Sequence, residues 1–226
     1  MAQPTPARSN QRKLILVTVA ALAGLAVVAA VVALAGRSDG SDAARIGGDG
    51  PYRGSEPPAR ITLPDFDLPS YRAGRVSAGE LRGQVVLLTL LDSQCTEACP
   101  ILASVIARTV DRLSRDERAQ VRALAITGDP AEDTPASVRR FLAARRAEGR
   151  LDYLLGDERE LRPLWTELKL LPSLDTGRDT LHSAPLRIYD REGVWVATLH
   201  AGADLSEENL LHDIRAALAA GGETSR

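Results

Sequence analysis

Three observations predict an α/β fold of three layers. From residue 84 onward, short apolar runs alternate with stretches of helical periodicity. The first run, Val85 to Leu91, is too short for a helix and apolar at every position except Thr89, as expected of a central strand buried on both faces. Near the C-terminus, Pro185 to Tyr189 and Val194 to Leu199 are joined by Asp190-Arg191-Glu192-Gly193, a hairpin connection, and a helix follows.

The globular part begins at Ile61. Ile61 to Leu68 reads as extended, with Pro64 and Pro69 confining any strand to an edge. Val76 to Leu81 predicts a helical turn, and Gly83 punctuates the entry to the central strand. After Pro100, the residues Leu102, Val105, Ile106, Val110 and Leu113 recur at helical spacing. Val121 to Thr127 is a second strand. Thr134 is placed to cap a helix that opens with Pro135 and buries Val138, Phe141, Leu142 and Ala144, ending near Gly149. Leu151 to Leu155 predicts a third strand, and Asp157 to Leu168 a helix with Leu161, Leu164 and Trp165 facing inward. A loop covers Leu170 to Thr180. Asp204 to Ala220 closes the domain as an amphipathic helix, stopped by Gly221-Gly222. The order β-α-β-α-β-α-β-β-α suggests a sheet of thioredoxin type.

What precedes this domain differs in composition. Residues 1–13 carry Arg8, Arg12 and Lys13 and no acid. Leu14 to Gly36 is apolar or small throughout, with Thr18 its one polar member, and as a helix it spans about 34 Å, enough for a bilayer core. Basic residues before it, with Asp39 and Asp42 after it, predict a transmembrane anchor at 14–36, a cytoplasmic N-terminus and an exported domain. Ala33-Leu34-Ala35 resembles a signal cleavage site, but the run exceeds the usual signal core. Residues 37–60, rich in Gly, Ser, Asp and Pro, read as a flexible tether, and 221–226 as a disordered tail. A net charge of −2 offers no electrostatic ground for nucleic-acid binding.

Chemistry concentrates at Cys95-Thr96-Glu97-Ala98-Cys99-Pro100, which holds the only two cysteines of the 226 residues. Both thiols fall in the turn between the central strand and the next helix. Because residues before proline avoid the α region, Cys99 is expected at or beside the N-cap, with Pro100 first in the helix. Unpaired N–H groups there favour a thiolate. A local disulfide is a poor alternative, since so small a loop stabilises by only roughly 2 kcal/mol. Of the three histidines, His212 falls on the polar side of the last helix and reads as a solvated surface residue, and His200 follows the last strand and reads as structural or surface. His182, in the loop entering the Pro185 strand, falls where a thioredoxin-type sheet brings a loop beside the thiols. Two thiolates and an imidazole suit Cu(I), or Cu(II) with a further ligand; zinc could use the same three, with Glu97 the nearest base.

These residues resemble the Sco/SenC family of membrane-anchored, copper-binding, thioredoxin-fold proteins. The likeness runs from about Asp65 to Leu218. It rests on Gly83–Leu91, the Cys95–Pro100 motif, Asp129-Pro130 with Asp133-Thr134-Pro135, His182-Ser183, and the hairpin Tyr189 to Gly193. The resemblance implies that Cys95, Cys99 and His182 bind copper, and that the protein assists assembly of the copper centre of cytochrome c oxidase subunit II, or of another exported cuproprotein. Members are proposed to deliver copper or to reduce the target's cysteines. Two positions depart from the pattern: Thr96 stands where proline is usual, and Leu181 where an aspartate precedes the histidine. Asp179 is the nearest acid that could support His182.

The expectation is therefore a membrane-anchored copper metallochaperone on the extracytoplasmic side. The alternative is a thiol–disulfide oxidoreductase using Cys95 and Cys99, although three residues separate its cysteines where dedicated oxidoreductases have two. A peroxide-consuming thiol enzyme is a weaker third reading.

Overall fold

In the computed structural model, residues 50–170 and 185–220 are described. A small antiparallel hairpin comes first, β1 (Asp67–Pro69) on β2 (Arg75–Ser77), and turns into a 3₁₀ helix at Ala78–Leu81. The central strand β3 (Val85–Leu91) is buried at all seven positions. It pairs in parallel with β4 (Val121–Thr127), which pairs in parallel with β5 (Asp152–Leu154). On its other side β3 pairs antiparallel with β6 (Pro185–Tyr189), and β6 with β7 (Trp195–His200). The five-stranded order β5-β4-β3-β6-β7 puts the most apolar strand in the middle.

Helices cover both faces. On one, α1 (Ala98–Arg112), α3 (Pro135–Ala144) and α5 (Glu207–Ala220) bring Leu102, Ile106, Phe141, Leu142, Leu210 and Ile214 onto the sheet. On the other, α4 (Glu158–Glu167) lays down Leu161, Leu164 and Trp165 against Leu88, Leu124 and Ile126, with the β1–β2 hairpin beside it. The layers, the central parallel pair and the closing hairpin are those of a thioredoxin-like fold, as expected. Thr134 caps α3 through a reciprocal pair with Ser137, and Pro135 opens the helix.

Several boundaries differ from expectation. A short helix α2 (Arg115–Ala119) interrupts the segment before β4, set by a capping box between Ser114 and Glu117. The last helix starts at Glu207, three residues later than expected, because Asp204 instead accepts the backbone N–H of His200 at 2.5 Å.

Part of the stretch expected as tether is fastened to the domain. The N–H groups of Arg53 and Gly54 donate to the carboxylate of Asp213, at 2.7 and 2.9 Å, and Ser55 exchanges backbone bonds with Thr198. The glycine-rich composition that suggested flexibility serves a close approach here: a Cβ on Gly54 would lie 2.6 Å from the Thr198 carbonyl oxygen. Among the described residues no helix is long and apolar enough to cross a membrane; the 14–36 segment and the 221–226 tail lie outside them.

Candidate functional site

β3 ends at Leu91, and the chain turns sharply. Asp92, 1% exposed, accepts the N–H of Gln94 with Oδ1 at 2.7 Å and the N–H of Cys95 with its carbonyl at 3.2 Å. The N–H of Ser93 is taken by Oδ1 of Asp133 at 2.9 Å, so the loop after β4 clasps the turn from the side. Asp133 is itself buried, and its Oδ2 accepts the hydroxyls of Thr127 at 2.6 Å and Tyr153 at 2.7 Å. Asp133, fixed in turn by Thr127 and Tyr153, thus holds Ser93, while Asp92 holds Gln94 within the turn.

Helix α1 begins at Ala98, with Glu97 at the N-cap. Pro100 is its third residue, and Cys99 is helical, contrary to expectation. The first four N–H groups of a helix have no partner within it, so a proline at the third position forfeits no hydrogen bond and does not mark the start.

That shift exchanges the roles of the two thiols. Cys95 is half-buried, and Cys99 is 7% exposed. The Cys99 thiol donates to the Cys95 sulfur, and the backbone N–H groups of Cys99 and Glu97 point at the same atom. The thiol–thiol bond is the largest cause, and together these bring the Cys95 pKa down to about 6 against partial burial and the Asp92 charge. The hydrogen bond it gives, its burial and the adjacent thiolate push the Cys99 pKa far up. Cys95 is thus the thiol whose ionisation is favoured, and Cys99, expected to be the ionised member, is the one whose ionisation is opposed.

His182 lies outside the described residues, as do Asp179 and Leu181. The described chain resumes at Pro185, whose carbonyl accepts the Thr89 hydroxyl at 3.0 Å. Since Leu88 pairs with Arg187, β6 starts at the end of β3 that carries the thiols. His200 is partly buried beside Asp204, and His212 lies on α5 with Nδ1 2.9 Å from Asp213. His212 is exposed, as expected of a surface histidine, and the half-buried His200 fits a structural one. Glu97 is exposed, with no partner that would make it a base. Among the described residues no three His, Cys, Asp or Glu side chains are gathered to hold a metal.

Sequence reasoning missed the support beneath the site. Asp133 was noted only within its motif, and its short distance from a proline cap carried no sign of its bond to Ser93. Tyr153 had no signal at all beyond being apolar enough for a strand.

Comparison with known proteins follows the same lines. The family model for SCO1/SenC matches residues 54–219. A curated Stutzerimonas stutzeri protein described as copper-binding is 29% identical over 140 residues, covering 60% of this chain and 68% of that protein. Among solved structures, BsSco, a member of the Sco family of cytochrome c oxidase assembly proteins in which a disulfide switch was identified, aligns with a TM-score of 0.62. Its identity is 18%, over 73% of this chain and 97% of that one. ScoI of Bradyrhizobium japonicum, solved with copper bound, aligns with a TM-score of 0.55 at 23% identity, over 69% and 98%.

Proposed function

The chain belongs to the SCO1/SenC family, and on that premise we propose that it carries copper on Cys95 and Cys99 and passes it to an exported cuproprotein. One observation carries the reading: two cysteines paired at one turn, Cys95 half open to solvent with its pKa lowered, Cys99 buried with its pKa raised. Thiolate is the form that binds a soft cation, and Cu(I) is well served by two sulfurs. Uptake deprotonates Cys99 and leaves the ion reachable from the Cys95 side. The family resemblance adds His182 as the third ligand, and the start of β6 at the thiol end of the sheet is consistent with that placement. Incomplete coordination suits release by ligand exchange with the target's own thiols. Residues 14–36 serve as the membrane anchor in this reading, and subunit II of cytochrome c oxidase is the target the family implies.

A second reading has its own support. An acidic, partly exposed first thiol followed by a buried, protonated one is also the arrangement of a nucleophile and a resolving thiol. Cys95 thiolate attacks a target disulfide, forming a mixed disulfide and releasing one target thiolate. Cys99 then loses its proton and displaces the second target sulfur. The target gains two electrons, and Cys95–Cys99 becomes a disulfide.

Copper titration of the reduced protein separates the two. The metal reading expects one tightly held ion, lost in Cys95→Ala and much weakened in His182→Ala. Unchanged stoichiometry in Cys95→Ala overturns it. Fast disulfide exchange with feeble copper retention selects the second reading.

A further inference from the structure

Ile101 is the one large hydrophobic residue that is strongly exposed among the described residues, at 49%. It lies in the first turn of α1, two residues after Cys99, at the same end of the sheet as the open thiolate. An isolated exposed isoleucine needs no explanation on an ordinary surface. Here its position matters, because the described segments that supply that end are biased in charge. Residues 83–107 and 123–138, which supply the ends of β3 and β4 and the start of α1, contain Asp92, Glu97, Asp129, Glu132 and Asp133 and no Lys or Arg. Of these, Glu97 and Glu132 are exposed. The Glu132 loop is tied to the thiol turn through the bond between Asp133 and Ser93.

Metal transfer by ligand exchange requires an incoming sulfur to reach the ion while Cys95 still holds it. Cys99 is buried, so the incoming ligand must approach across the Cys95 rim. A protein acceptor that reaches Cys95 meets the end of the sheet where Thr96, Glu97 and Ile101 are exposed. We propose that Ile101, with Glu97 and Glu132 at the same end of the sheet, is the docking surface for the copper acceptor, a protein whose metal-binding thiols are set in apolar surface bordered by basic side chains. Ile101 supplies the desolvated centre of the contact and the carboxylates its oriented approach. The inference rests on the copper reading and names the partner's chemistry.

The test uses the copper-loaded protein with two acceptors: the copper-free soluble domain of cytochrome c oxidase subunit II from the same organism, and dithiothreitol. Ile101→Ser and Glu132→Lys are compared with the unsubstituted protein. Copper stoichiometry is expected to stay the same in both. Transfer to the protein acceptor is expected to slow about tenfold in Ile101→Ser. In Glu132→Lys it slows and loses part of its dependence on salt. Transfer to dithiothreitol keeps its rate in both. Equal slowing toward both acceptors overturns the proposal, because Ile101 would then act on the metal site itself. Unchanged transfer to the protein acceptor overturns it as well. If the unsubstituted protein holds copper but does not deliver it to the subunit II domain, the partner assignment fails and the copper reading stands. If it holds no copper, both fail.

Discussion

The carboxylate of Asp133 and the phenol of Tyr153 meet at 2.7 Å beneath the thiol-bearing turn, with the other carboxylate oxygen on the N–H of Ser93. Burial raises the Asp133 pKa, while the bonds from Ser93, Thr127 and Tyr153 favour the charged form. A buried acid is costly, and its contacts indicate what it does: it locks the loop after β4 onto Ser93, two residues before Cys95.

Replacing that acid separates anchoring from charge. In Asp133→Ala the Ser93 N–H and the Thr127 hydroxyl lose their acceptor, while the Tyr153 hydroxyl keeps the Leu91 carbonyl at 2.7 Å. Unmet buried groups of this kind cost about 1–3 kcal/mol. A fall of that size in denaturant stability is expected, with a raised Cys95 pKa as the turn loosens. Asp133→Asn can keep the Ser93 bond and should recover most of both. If Asp133→Ala unfolds at the wild-type denaturant concentration, the clasp contributes nothing.

The main elements could be read from sequence because they follow burial and periodicity. β3, β4 and β6 emerged at their predicted boundaries because every position, or nearly so, is apolar. Thr134-Pro135 declared its helix through a local cap. The thiol roles could not be read in this way. The bond from Cys99 to Cys95 depends on where α1 starts, and Pro100 is compatible with more than one start. Asp133 and Tyr153 are 20 residues apart in sequence, and their contact arises from the parallel pairing of β4 and β5. Asp213 reaches Gly54 across 159 residues. No local pattern encodes contacts at such separations.

Alkylation should report the exchange of thiol roles directly. The rate with iodoacetamide tracks the thiolate fraction, so the fast phase should rise with pH around a midpoint near 6 and belong to Cys95. Below that midpoint the sulfur gains a proton and the rate falls. In Cys99→Ala the largest cause of the depression is gone, and the midpoint should move up toward the ordinary thiol value. A wild-type midpoint above 8, or modification of Cys99 first in a peptide digest, contradicts the assignment.

The cap of α3, one residue beyond Asp133 but not itself bonded to the thiol turn, provides a control. Thr134 accepts the Ser137 N–H at 3.1 Å, and Ser137 returns a bond to the Thr134 N–H at 2.9 Å. Thr134→Ala should lower stability by about 1 kcal/mol while leaving the Cys95 midpoint where it was. A shifted midpoint here would mean that the loop after β4 transmits strain through more than Asp133.

Gly54 and Asp213 set where the domain begins. Asp213 is fully buried on α5, and it satisfies two backbone N–H groups of a segment whose composition suggests freedom. Asp213→Ala strands both donors, one of them buried, and should cost about 2 kcal/mol. In Gly54→Ala the new methyl would meet the Thr198 carbonyl at 2.6 Å, and both partners are backbone, so the strand β7 or the segment must move. Release of the segment is the easier motion, since it carries few other bonds. Limited proteolysis should therefore cut both variants between residues 50 and 60 at protease levels that spare the wild type. Copper stoichiometry should stay unchanged, because the clasp involves none of the residues that hold the thiol turn. Equal resistance to cleavage in all three proteins would mean that Asp213 does not hold this segment in solution.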